Sequence, residues 1–182
     1  MKHIIHAIII CLFTVQLQAN LRPTCTGNPK TKVANFGKTA MPLVALGVAL
    51  IKEDWWGALQ SQIMYHGFYF IGSKLSKAID KKRPCGCDRA FPSGHVIAYA
   101  TPSVFMHKRY GLKYGIPMYI ASAVFSYDRH KGKSHSWFDI VTTFAIAGGA
   151  TWFLTKPFKE SGAKVSLQSN GKDTQFFFHW EL

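Results

Sequence analysis

Between residues 39 and 155 the chain runs through a succession of apolar stretches, each of helical length. They cover about 39–51, 54–79, 94–108, 114–127 and 136–155, and Gly86, Pro92, Gly111, Gly115 and Pro117 punctuate the joins. That rhythm predicts an all-α fold, a compact bundle of about five to six helices occupying 39–156 as one domain. At 182 residues the chain is long enough to bury a real core.

Whether the bundle meets a membrane is less direct. None of the stretches is a clean run of about 18 uncharged apolar residues. Gln60, Gln62 and His66 interrupt the second, Lys108 and Arg109 close the third, and the mean hydropathy is only +0.03. Against this, aromatic residues make up 14% of the chain, and Trp55-Trp56 beside Asp54 and Trp152 near Lys156 are placed like interfacial anchors. The expectation is a bundle at or in a membrane, with a soluble bundle as the alternative.

The segments flanking the bundle differ from it. Residues 1–19 read as a signal peptide, with Lys2 as the basic start, an apolar core from Ile8 to Val15, and Leu17-Gln18-Ala19 as the cleavage site. Residues 20–38 are polar and rich in Pro, Gly and Asn, and predict an irregular mature N-terminus. In 157–182, Ser169-Asn170-Gly171-Lys172-Asp173 separates KVSLQ from TQFFFHWEL, which predicts a small C-terminal β-hairpin. Export leaves Cys25, Cys85 and Cys87, so a disulfide of Cys25 with Cys85 or Cys87 is one reading and three unpaired cysteines the other.

Charge narrows the partners. The net charge of +13 favours an anionic one: acidic lipid headgroups, phosphorylated substrates or nucleic acid. The export signal and the lack of any zinc-finger or RNA-binding signature argue against nucleic acid.

Three short islands carry chemistry. In the last, His135 and Asp139 lie four apart, so on a helix starting near Ser134 or Ser136 they share a face. A carboxylate there holds one ring nitrogen of His135 as N–H and leaves the other as a lone-pair nucleophile. Arg129 just before it offers a bidentate fork for phosphate oxygens. Alone, such a pair would read as a surface ion pair. The middle island, Phe91-Pro92-Ser93-Gly94-His95, opens an apolar run: Ser93 as helix cap, Gly94 for close backbone approach, and helix-start amides to bind an anion. His95 at its mouth is placed to protonate a leaving alkoxide. The first island, Lys81-Lys82-Arg83-Pro84, is a solvated basic run or else presents Arg83 as a second phosphate fork. Two arginines and backbone amides neutralise a phosphoryl transition state without a metal, and no Walker loop, H-E-x-x-H or carboxylate cluster calls for a metal or cofactor.

The order K…RP, then PSGH, then R-x5-H-x3-D over residues 74–139 resembles the type 2 phosphatidic acid phosphatase family, kin to bacterial acid phosphatases and vanadium haloperoxidases. The resemblance implies Arg83 and Arg129 as phosphate ligands and Ser93 and Gly94 as hydroxyl and amide cradle. It further implies His95 as general acid, His135 as the nucleophile that forms a phosphohistidine, and Asp139 as its orienter. Two positions depart from the pattern. The family's lysine falls on Ser76, with Lys77 as the expected substitute and Lys74 as the other choice; the family's serine before Arg129 is Asp128.

The expected activity is therefore phosphate release from a lipid phosphate or pyrophosphate in a bacterial cell envelope, at the periplasmic face of the inner membrane. The alternatives are a soluble periplasmic acid phosphatase on small phosphomonoesters, and an envelope protein that binds phosphate or anionic lipid without turnover.

Overall fold

A computed structural model describes residues 32–158, 163–169 and 174–180; the expected signal peptide lies outside them. Five helices follow in order: α1 (Lys32–Ile51), α2 (Trp55–Ile79), α3 (Gly94–Tyr110), α4 (Leu112–Lys131) and α5 (Trp137–Leu154). Helix α3 is the axis of the bundle, and the other four all pack against it. Its run from His95 to Met106 is buried throughout, as expected of a helix that is apolar on all sides. Met41, Ala45, Met64, Tyr65, Tyr99, Phe105 and Met118 form the main core around it.

Local chemistry sets the helix ends. Asp54 caps α2 through Gly57 N at 2.8 Å, Ser93 caps α3 through Val96 N at 3.4 Å, and Ser136 caps α5 through Asp139 N at 3.2 Å. At the end of the bundle away from Ser93, Asp54 also pairs with Arg109 and accepts from Tyr110 Oη at 2.7 Å. Arg109 is 3% exposed and Asp54 5%, so this is a buried ion pair that ties the start of α2 to the end of α3.

One expectation changes. Residues 32–38 are helical rather than irregular, because α1 begins at Lys32. Its start is fixed from elsewhere in the fold: Ala34 N donates to the Asp128 carboxylate at 3.0 Å, and Tyr99 Oη donates to Ala34 O at 2.6 Å. A cap supplied by α4 leaves no mark near residue 32. At the other terminus, the backbones of Ala163–Ser169 and Thr174–Trp180 are extended and antiparallel, with Ala163 opposite Trp180. The turn 170–173 and the side chains of the segment lie outside the described residues, so the hairpin appendage stays an expectation.

The outer faces of the helices are apolar. Phe36, Ile63, Phe70, Ile120, Phe138, Val141 and Phe153 are all more than half exposed. By length and composition, α1 and α5 could each cross a membrane.

Candidate active site

The three islands meet at one end of α3. The loop 80–93 folds back on itself through Ala90 N to Lys81 O (2.7 Å) and Arg83 N to Cys87 O (2.7 Å). Cys85 N, donating to Lys133 O at 3.0 Å, ties this loop to the turn between α4 and α5. Within the loop Cys85 is a free, exposed thiol. The cleft between the loops has a volume of about 170 Å³, and Arg83, Gly94, His95 and His135 line it.

His135 is 1% exposed and sits in the turn before α5, not on the helix. Its Nδ1 lies 2.7 Å from Ala90 O, and its Nε2 lies 3.0 Å from Ser93 Oγ and 3.5 Å from Arg129 Nη2. A carbonyl only accepts, so Nδ1 carries the hydrogen and Nε2 keeps its lone pair. Burial, then the nearby Arg129 and Arg83 guanidinium groups, pushes the imidazole down to about 3, so the ring is neutral at pH 7.

Asp139 requires a correction. It does not hold the His135 ring, although the sequence places the two one helical turn apart. Ser136 N and Ser136 Oγ donate to Asp139 Oδ2 at 3.1 and 2.7 Å, and Lys81 Nζ donates to Oδ1 at 2.5 Å. The physical reason is local: Ser136-x-x-Asp139 is a capping box, which starts α5 after His135 and takes the carboxylate for the helix start. That S-x-x-D spacing is legible in the sequence and competes with H-x3-D for the same side chain.

The two arginines expected to bind phosphate differ in their surroundings. Arg129 is 2% exposed, and its Nε has no hydrogen-bond partner among the described residues. Arg83 directs Nε and Nη2 at Arg89 O, both at 3.3 Å, which fixes the guanidinium against the loop; burial pushes its pKa below the ordinary arginine value. Asp128 does not pair with Arg129, since its carboxylate receives the Ala34 amide instead.

In the middle island, Ser93 N donates to Thr143 Oγ1 at 3.1 Å, which fixes the cap against α5. Gly94 and His95 open the helix, and first-turn amides have no acceptor within their own helix. A Cβ on Gly94 would come within 2.9 Å of the Tyr69 ring, so the close approach needs glycine. His95 Nε2 lies 2.8 Å from Asn35 Oδ1. Lys77, the expected lysine, is exposed on α2 and does not line the cleft.

Asn35, Lys38, Arg89 and Ala90 are the site residues that sequence reasoning missed. None lies in a motif, and Asn35 and Lys38 fall in the segment expected to be irregular. Spacing could have indicated only that a helical register through 35 and 38 puts both on one face.

No family model matches the chain, and no curated protein matches it. Among solved structures, it is similar to the crystal structure of a transmembrane PAP2-type phosphatidylglycerolphosphate phosphatase from Bacillus subtilis. The identity is 17% and the TM-score 0.55, over 81% of this chain and 84% of that one. The five-helix bundle thus has the fold of that protein.

Proposed function

We propose that the chain is a phosphate-ester hydrolase of the cell envelope, acting on a lipid phosphate or pyrophosphate through a phosphohistidine. The observation that carries this is His135: a neutral imidazole with Nδ1 tied to Ala90 O and the Nε2 lone pair open toward Arg129 and the Ser93 hydroxyl. In the proposed reaction Nε2 attacks phosphorus in line with the ester oxygen. The N–P bond forms as the P–O bond breaks, and His95 gives a proton to the departing alkoxide. Water then attacks the phosphohistidine, returns a proton to His95 and releases inorganic phosphate. Arg83, Arg129, the Ser93 hydroxyl and the helix-start amides hold the equatorial oxygens. Burial first, then the nearby Arg129 and Lys38 charges, disfavours a proton on His95, and in this scheme a bound phosphate dianion offsets that effect. Asp139 acts at a distance, by fixing the turn that carries His135 and the loop that carries Arg83.

A membrane setting is supported by the apolar side chains on the outer faces and by two helices long and apolar enough to cross a membrane. The Bacillus subtilis protein of the same fold is a phosphatidylglycerolphosphate phosphatase, which supports a phosphorylated-lipid substrate. The reading places the site at an oxidising, periplasmic face; with Cys85 a free thiol, the pairing expected of Cys25 would fall to Cys87. The reading as a phosphate-binding protein without turnover had Asp128 as one of its grounds; with that carboxylate engaged at Ala34, Arg129 stays available to phosphate.

The test is phosphate release by the detergent-solubilised chain from phosphatidylglycerophosphate, phosphatidate, undecaprenyl pyrophosphate and lipid A phosphates. We expect turnover of at least one, abolished in His135→Ala. Equal release by wild type and His135→Ala would overturn the reading.

A further inference from the structure

The lysine missing at position 76 has a counterpart on another helix. Ser76 lines the cleft with a short hydroxyl and is 7% exposed. Lys38 lines the same cleft from α1, with only 6% of its surface exposed. Its Nζ lies 3.1 Å from Tyr69 Oη and 4.8 Å from the centre of the Tyr69 ring. No carboxylate forms an ion pair with it among the described residues. An ammonium has three donors, and burying one without a counter-charge is costly unless an anion completes it. The groups that share its cleft are Arg83, Arg89, His95 and His135, the surroundings of a bound phosphate in the reading above.

The second departure from the motif bears on the first. Asp128 accepts the Ala34 amide, and Tyr99 Oη donates to Ala34 O, so both hold the first turn of α1 against α3 and α4. Lys38 is the next turn along. Asn35, on the same face, reaches His95.

We propose that Lys38 is a phosphate-binding cation of this site, taking the place of a lysine at position 76, and that Asp128 is the positioning residue that seats α1 to deliver it. The inference rests on the hydrolase reading. Shortening position 76 to serine leaves room for an ammonium arriving from α1, and a carboxylate at 128 caps the helix that brings it. Two isolated departures become one relocation of charge.

Orthovanadate, a phosphate analogue, serves as the probe, with binding measured by calorimetry on the full chain in detergent. Lys38→Met should weaken binding about ten- to hundredfold, the share of one charged hydrogen bond. Lys38→Gln, which keeps a donor toward Tyr69, guards against misfolding and should weaken binding similarly. Adding Ser76→Lys to Lys38→Met should restore most of the affinity, which a merely structural role for Lys38 would not allow. Wild-type affinity in Lys38→Met or Lys38→Gln overturns the inference alone, and a double variant no better than Lys38→Met overturns the replacement of one lysine by the other. A wild type that does not bind orthovanadate overturns the hydrolase reading and this inference together.

Discussion

The His135 ring is held by the main-chain carbonyl of Ala90, 2.7 Å from Nδ1. Ala90 is fully buried, and its own amide donates to Lys81 O, so the orienting group is part of a closed loop. Losing a carboxylate that orients a catalytic histidine directly costs about 10⁴-fold in turnover. Here Asp139 supports the loops and not the ring. Asp139→Asn should therefore lower kcat/KM by only about ten- to hundredfold, as for other supporting contacts. Lys81→Met should give a similar loss, and the double variant little more than either, because the two share one ion pair. Steady-state kinetics of the three variants check this; a 10⁴-fold loss in Asp139→Asn alone would contradict it.

Protonation of His135 links the site to stability. Its value falls from 6.5 to about 3 in the folded chain. Between those limits the unfolded chain binds a proton that the native one does not. The contribution of His135 is thus fully present above about pH 6.5 and is lost as pH falls toward about 3. Denaturant midpoints measured from about pH 7 to pH 4 should drop with acid, and His135→Gln should flatten the drop. Parallel curves for the two chains would show that the ring is not held neutral by its site.

Ser93 joins two functions in one hydroxyl, which caps α3 and lies 3.0 Å from His135 Nε2. Ser93→Ala should cost about 1 kcal/mol in stability, as for a lost cap. Its effect on kcat should be larger, about a hundredfold, as for the loss of one donor to a developing oxyanion. Thermal denaturation and single-turnover assays separate the two effects.

The Asp54–Arg109 pair lies away from the chemistry. Asp54→Ala would leave Arg109 buried with part of its charge uncompensated, at a cost of about 3 kcal/mol or more. Replacing both residues with Leu and Met should recover most of that. Orthovanadate affinity should be unchanged throughout, which distinguishes a scaffold from a site.

Arg83, Ser93, Arg129 and His135 lie far apart in the chain and were grouped through the resemblance of the three islands to a known family. The spans of α2 to α5, the cap at Ser93 and a helix start near Ser136 were legible because each depends on residues close in sequence. The start of α1 was not, because its cap comes from Asp128, 94 positions away. Lys38 was hidden for the same reason: a lysine in a polar segment is ordinarily solvated, and only the packing of α1 on α3 buries it. Asp139 shows a different limit. Two spacings competed for one carboxylate, and the contact within the same helical turn prevailed over the ring one residue outside it.

The central claim is that His135 attacks phosphorus. Quenching in alkaline denaturant during turnover of a 32P-labelled lipid phosphate, followed by base digestion, reads it out. The expected product is a base-stable, acid-labile phosphohistidine that maps to His135 and is absent from His135→Ala. Wild-type turnover by His135→Ala, or a label recovered on another residue, would contradict it.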